Sequence, residues 1–226
     1  MKIRLCNFTV RAFDESDPLD ITFQEVRDPS RVRRFVASDD TIDRYGDVIL
    51  ASGIDLTNYA KAPRVQAFHD YNMWPLGKSV AGGVRDGALL LDIEFDPPEI
   101  DEAADQVLAK IDYGTVSTGS VGFIPKTVLR PGDSMDEGQK SLFARYPGVN
   151  RIYTQSELLE FSIVPIPANP NAVAAAYRKF AEQMDKQIGS LTDAAPEGNG
   201  TVVGAEEEQW KAFEQKLDKM KENGNG

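Results

Sequence analysis

The stretch that most constrains the fold is 86–95. Asp86-Gly87 is a two-residue turn signal, and behind it Leu89, Leu91, Ile93 and Phe95 alternate with Asp92 and Glu94. A period of two puts the apolar side chains on one face and the acidic ones on the other. The segment is therefore half of a hairpin, and the chain must build a sheet around it. Shorter runs of the same kind lie at 21–23, 35–37, 65–69, 116–124 and 158–166. Residues 2–13 alternate with a slip near Cys6-Asn7 that a bulge would explain. Helical spacing occurs at 99–111, where Ile100, Ala103, Ala104, Val107, Leu108 and Ile111 form one stripe. A second helix is predicted from Ala172 to about Ile188. The pattern predicts an α+β fold dominated by strands, with helices on its flanks.

The organisation changes near the C-terminus. Residues 1–188 read as one domain, 189–203 have linker composition, and 204–226 hold an amphipathic helix with Trp210, Phe213, Leu217 and Met220 on one side. A polar excursion around 131–139 separates two of the strands, and the basic group Arg31-Val32-Arg33-Arg34 reads as a strand start on a solvated edge.

Composition removes several classes of chemistry. The 226 residues include one His and one Cys, too few for a zinc site of nitrogen and sulfur ligands or for an internal disulfide. Phosphate-binding loops, dinucleotide fingerprints and calcium loops have no match, so no cofactor or metal is expected. A net charge of −11 disfavours nucleic acid. No run reaches the roughly 20 apolar residues of a membrane span, and Met1-Lys2-Ile3-Arg4-Leu5-Cys6-Asn7 lacks the apolar core of a secretory signal. Protein-directed or carbohydrate-directed chemistry remains, or binding alone.

Three polar residues interrupt otherwise apolar strands. His69 ends 65–69, Ser120 lies in Gly119-Ser120-Val121-Gly122-Phe123, and Glu160 breaks Leu158-Leu159-Glu160-Phe161-Ser162-Ile163-Val164. Strand parity groups Leu159, Phe161 and Ile163 on one face and Glu160 with Ser162 on the other. A carboxylate there needs a cation or a hydrogen-bond donor, which an imidazole would supply. A hydroxyl beside that imidazole would complete a nucleophile, base and orienter. Each residue also has an ordinary explanation: a strand-end histidine, a serine at a bend, a glutamate on a wet face. Spacing alone leaves these alternatives open.

Four ordered blocks resemble the prohead (capsid maturation) serine proteases of tailed bacteriophages. They are Asp43-Arg44-Tyr45-Gly46-Asp47; Phe68-His69-Asp70 with Pro75-Leu76-Gly77; Gly119 to Phe123; and Glu157 to Val164 running into Pro165-Ile166-Pro167-Ala168-Asn169-Pro170-Asn171-Ala172. The similarity covers about residues 33–178. It implies a compact β-barrel like that of the herpesvirus assemblins, with His69 as general base and Ser120 as nucleophile. Those relatives use a second histidine as orienter. This chain has one, so Glu160 is expected in that role, with Glu157 as runner-up and Asp70 behind it. Gly119 and Gly122 are the candidate oxyanion donors through their backbone, Ser117 and Ser162 are decoy hydroxyls, and Cys6 is a remote alternative nucleophile. The implied substrates are capsid scaffold segments, the delta domain of the major capsid protein and the protease itself. The implied place is the host cell cytoplasm, inside the assembling prohead, and the resemblance leaves room for a homodimer. The competing class is a non-catalytic capsid assembly protein that keeps the fold.

Overall fold

Nine strands and two helices succeed one another in the computed structural model, which describes residues 18–174. They are β1 (Ile21–Thr22), β2 (Val32–Asp39), β3 (Asp47–Ile49), β4 (Ile54–Asp55), β5 (Arg64–Ala67), β6 (Gly77–Arg85), β7 (Ala88–Phe95), α1 (Glu102–Tyr113), β8 (Gly119–Leu129), α2 (Glu137–Ala144) and β9 (Arg151–Ile163). The strand expected at 2–13, the linker and the tail helix lie outside the described residues. So does all but the start of the helix expected at 172–188.

The hairpin read from Asp86-Gly87 joins β6 to β7, and β7 has the expected bounds. Leu89, Leu91, Ile93 and Phe95 are fully buried in the main core. The acidic face of β7 is buried too. Asp92 receives a bidentate pair from Arg34, Nε to Oδ1 at 2.7 Å and Nη2 to Oδ2 at 2.9 Å. Glu94 accepts the backbone N–H groups of Arg27 and Asp28. The expectation of a solvated basic edge at 31–34 is thereby corrected. Arg31 and Arg33 bind Asp105 and Asp112 of α1, fastening the helix to the sheet.

β9 organises the rest. One of its edges takes β3, β4 and β5 in turn, all parallel; the other takes β8, antiparallel along its length. On the far side of β5 the sheet continues through β6 and β7 to β2. It curls into a half-barrel, because residues 172–174 run between β8 and β2. Val173 bridges Thr118, Ala174 bridges Phe35, and Val36 donates to the Val173 carbonyl at 3.0 Å. The expected helix therefore does not begin at Ala172, since these residues give their backbone groups to two strands.

Helix α1 begins later than its apolar stripe suggested. Asp101 caps it by accepting from Ala103 N, which leaves Ile100 outside and exposed, and Gly114 ends it at φ 95°. Helix α2 starts inside the polar excursion around 131–139, where Asp136 and Gln139 form a capping box, and runs on to Ala144. It packs over a second, smaller core of Val48, Leu129, Val149 and Ile152.

Phe161 is the hinge of the main core, with its ring 5.5 Å from that of Phe35. Gly119 exists to admit it, since a Cβ there would lie 2.0 Å from Phe161 Cζ. Phe161→Ala is expected to cost about 3–5 kcal/mol of stability, read by urea denaturation.

Candidate active site

β5 ends at Ala67, two residues short of the expected strand. Phe68 and His69 follow in the left-handed region, at φ 57° and 58°. This conformation is unfavourable for residues with a Cβ and holds only where the surroundings fix it. Three bonds do so: Phe68 N–H to the Ile163 carbonyl at 3.1 Å, Asp70 N–H to the Ala67 carbonyl at 3.0 Å, and His69 N–H to Ser162 Oγ at 3.0 Å. The chain thus turns at the end of β5 and carries the imidazole back over β9.

There it meets Glu160. His69 Nδ1 lies 2.5 Å from Glu160 Oε1, and Ser162 Oγ donates to Glu160 Oε2 at 2.7 Å. Glu160 is 3% exposed, so both carboxylate oxygens are satisfied by protein groups away from water. Gly122, opposite Glu160 in the β8–β9 register, leaves the room: a Cβ on it would fall 2.2 Å from Oε1. Ser162, a decoy hydroxyl in the sequence, has a structural part in the site. Its hydroxyl holds the carboxylate and the His69 backbone together, and the signal was its two-residue spacing from Glu160 on one strand face.

Ser120 pairs directly with Ser162 across the strands, on the same face as Gly122 and Glu160. Ser120 and His69 border one cavity of about 440 Å³. Among the described residues no hydrogen bond joins Ser120 Oγ to the imidazole. The cavity's remaining walls come from β2, the 43–47 turn, β9 and the 164–172 segment.

The other sequence candidates lie elsewhere. Glu157 binds Lys126 at 2.6 Å and Asn58 at 2.9 Å, and these two hydrogen bonds, Lys126 first, hold its carboxyl below the usual range. Asp70 caps its own turn through Asn72 N–H. Leu159 does not share a face with Phe161. The register shifts there, with Gly122 opposite Glu160 and Phe123 opposite Leu158, so Leu159 bulges outward and is half exposed. Of the two oxyanion candidates, Gly119 spends its N–H on the Ala172 carbonyl at 3.0 Å. By the alternation of an antiparallel ladder Gly122 directs its backbone groups at β9, whereas Val121, like Gly119, points away from β9. Cys6 lies outside the described residues, and among the described residues no three His, Cys, Asp or Glu side chains converge as a metal site.

The model of the caudovirus prohead serine protease family matches residues 32–187. The chain belongs to that family. Searches of curated proteins and of solved structures find no match. Membership in a serine protease family supports a protease, and a prohead protease acts on capsid proteins during phage assembly. The four blocks quoted from the sequence converge in the fold: three border the cavity, and the fourth runs from β9 into the segment that walls it. The last block is clipped to β2 by amides. Asn169 and Asn171 donate to Asp39, which also accepts from Thr41 N–H. Burial pushes the Asp39 carboxyl up, but these hydrogen bonds outweigh it and hold the group below its ordinary value.

Three substitutions test this arrangement. Gly122→Ala displaces the Glu160 carboxylate, so a downfield ring N–H proton resonance, expected for the wild type from the His69–Glu160 contact, should be lost in the variant. Gly119→Ala should instead lower stability, by about 1–3 kcal/mol or more, through the clash with Phe161. For Asp39, a lowered folded pKa means stabilisation that is complete well above 3.8 and lost as pH falls through the folded value. Urea denaturation at about pH 6 and about pH 3 should show a smaller pH dependence for Asp39→Asn than for the wild type.

Proposed function

We propose that the chain is a serine endopeptidase of prohead maturation in which Ser120, His69 and Glu160 act as nucleophile, general base and orienter. The observation that carries this reading is the 2.5 Å contact between His69 Nδ1 and the buried Glu160 carboxylate. It commits one ring nitrogen and leaves Nε2 for the cavity that Ser120 borders. Ser120 Oγ attacks the scissile carbonyl carbon as Nε2 takes its proton. The tetrahedral intermediate collapses when that proton passes to the leaving amine, giving an acyl-enzyme that water hydrolyses by the same route. Glu160 keeps the Nδ1–H tautomer and stabilises the imidazolium.

The oxyanion role falls to the Val121 N–H. It follows the nucleophile, borders the cavity and belongs to the set of β8 groups directed away from β9. In this reading the curled sheet is the wall of an assemblin-like barrel. Its substrates are scaffold or delta-domain segments of the capsid proteins and the chain's own 189–203 linker, cut in the host cytoplasm inside the assembling prohead.

A fluorophosphonate probe should label Ser120 in the wild type and fail on His69→Ala. Ser120→Ala should keep the fold by circular dichroism while cleavage of capsid protein falls by about 10⁴-fold or more. Intact-mass measurement of wild type beside Ser120→Ala should show loss of the tail only in the former. A cleaving Ser120→Ala variant overturns the assignment.

A further inference from the structure

Ser162 stands where three strands meet in register. On one side it pairs with Gln66 of β5, the strand whose end delivers His69, and on the other with Ser120 of β8. It is 0% exposed and is flanked along β9 by the buried Phe161 and Ile163. A hydroxyl taken out of water is costly unless it is hydrogen-bonded. Here the oxygen accepts the His69 backbone N–H at 3.0 Å and the hydrogen goes to Glu160 Oε2 at 2.7 Å.

The polarity of these bonds is fixed from their ends. A backbone N–H only donates, so the Ser162 oxygen accepts, and its own hydrogen is directed at a carboxylate oxygen that accepts it. With that carboxylate ionised, the hydrogen of the 2.5 Å contact between Oε1 and Nδ1 belongs to the ring. The bonds form a circuit that leaves His69 through its backbone and returns through its imidazole. Ser162 is thereby withdrawn from nucleophilic chemistry, because its hydrogen is committed to Glu160 and its side chain is enclosed.

We infer that Ser162 is a positioning residue for the reaction: its hydroxyl fixes the orientation and the Nδ1–H tautomer of the His69 imidazole, and so keeps Nε2 free to take the Ser120 proton. This inference rests on the protease reading and adds to it a residue that touches no reacting atom. Without the hydroxyl, Oε2 is buried with no donor among the described residues, and the carboxylate is free to turn from the ring. The His69 N–H also loses its acceptor, in a turn whose left-handed backbone depends on such bonds. A serine that only filled space in the sheet would not govern the tautomer of the ring.

The test uses the full chain. Its sole histidine gives one pair of ring-nitrogen resonances, so the tautomer is read by NMR without an assignment problem. With the imidazole neutral, the wild type should show the Nδ1–H form, and Ser162→Ala a mixture that includes the Nε2–H form. In a fluorophosphonate time course followed by intact mass, Ser162→Ala should lower the maximal rate of Ser120 labelling by about 10- to 100-fold, the worth of one hydrogen bond to a charged group. The half-saturating probe concentration should stay unchanged. Ser162→Cys keeps the shape and a weaker donor, so it should fall between the two in rate and in tautomer, and it carries the test if Ser162→Ala does not fold. An unchanged tautomer, or a rate loss no greater than the loss of folded protein by circular dichroism, overturns the positioning role and leaves the protease reading standing. A folded wild type that the probe does not label at Ser120 overturns both.

Discussion

A carboxylate buried in the middle of a sheet is the constraint around which this protein is arranged. Glu160 is cut off from water, and an ion in such a place must be met by donors or it will not stay ionised. Two donors and one vacant position meet it. Ser162 supplies its hydroxyl from two residues along the strand, the imidazole of His69 arrives from the end of β5, and the missing side chain of Gly122 clears the approach. To bring the ring there the backbone accepts two successive left-handed residues. Such strain is tolerated because Ser162 and the Ile163 carbonyl hold the same turn. Rigidity around the imidazole is thus a by-product of satisfying one acid.

The opposite wall of the sheet solves the same problem with cations. Asp92 and Glu94 would be intolerable on a buried face, and Arg34 together with the backbone N–H groups of residues 27 and 28 answers them. Arg31 and Arg33 then reach past the sheet to α1. One short basic run therefore neutralises a strand and docks a helix. Removing Arg34 would leave the buried Asp92 carboxylate in a medium that cannot solvate it, a larger effect than loss of Arg31 or Arg33, whose partner acids on α1 reach water.

Features set by local chemistry were legible in the chain itself. The β6–β7 hairpin followed from Asp86-Gly87 and the alternation behind it, and the apolar stripe of α1 was visible up to the cap at Asp101. His69, Ser120 and Glu160 could be singled out because each broke an apolar pattern. What escaped was set by distant partners. The arginines at 31–34 looked solvated because their acids are dozens of residues away. Leu159 was placed on the wrong face because a bulge shifts the register by one residue, and no alternation rule signals that. Ala172 looked like a helix start because its neighbours are good helix formers, yet β2 and β8 claim its surroundings. The small strands β3 and β4 have too few residues to show a period, and they exist because β9 offers an edge.

The stretch at 172–174 has a consequence for biosynthesis. It is the staple that joins β2 to β8, and it is made after every strand it fastens. A nascent chain that has finished β9 still has β8 open on its outer edge and lacks the Ala172 wall of the cavity. The cavity wall is therefore complete only once residues 172–174 have left the ribosome, so a product truncated before them carries His69, Ser120 and Glu160 without the strand that closes the space beside them.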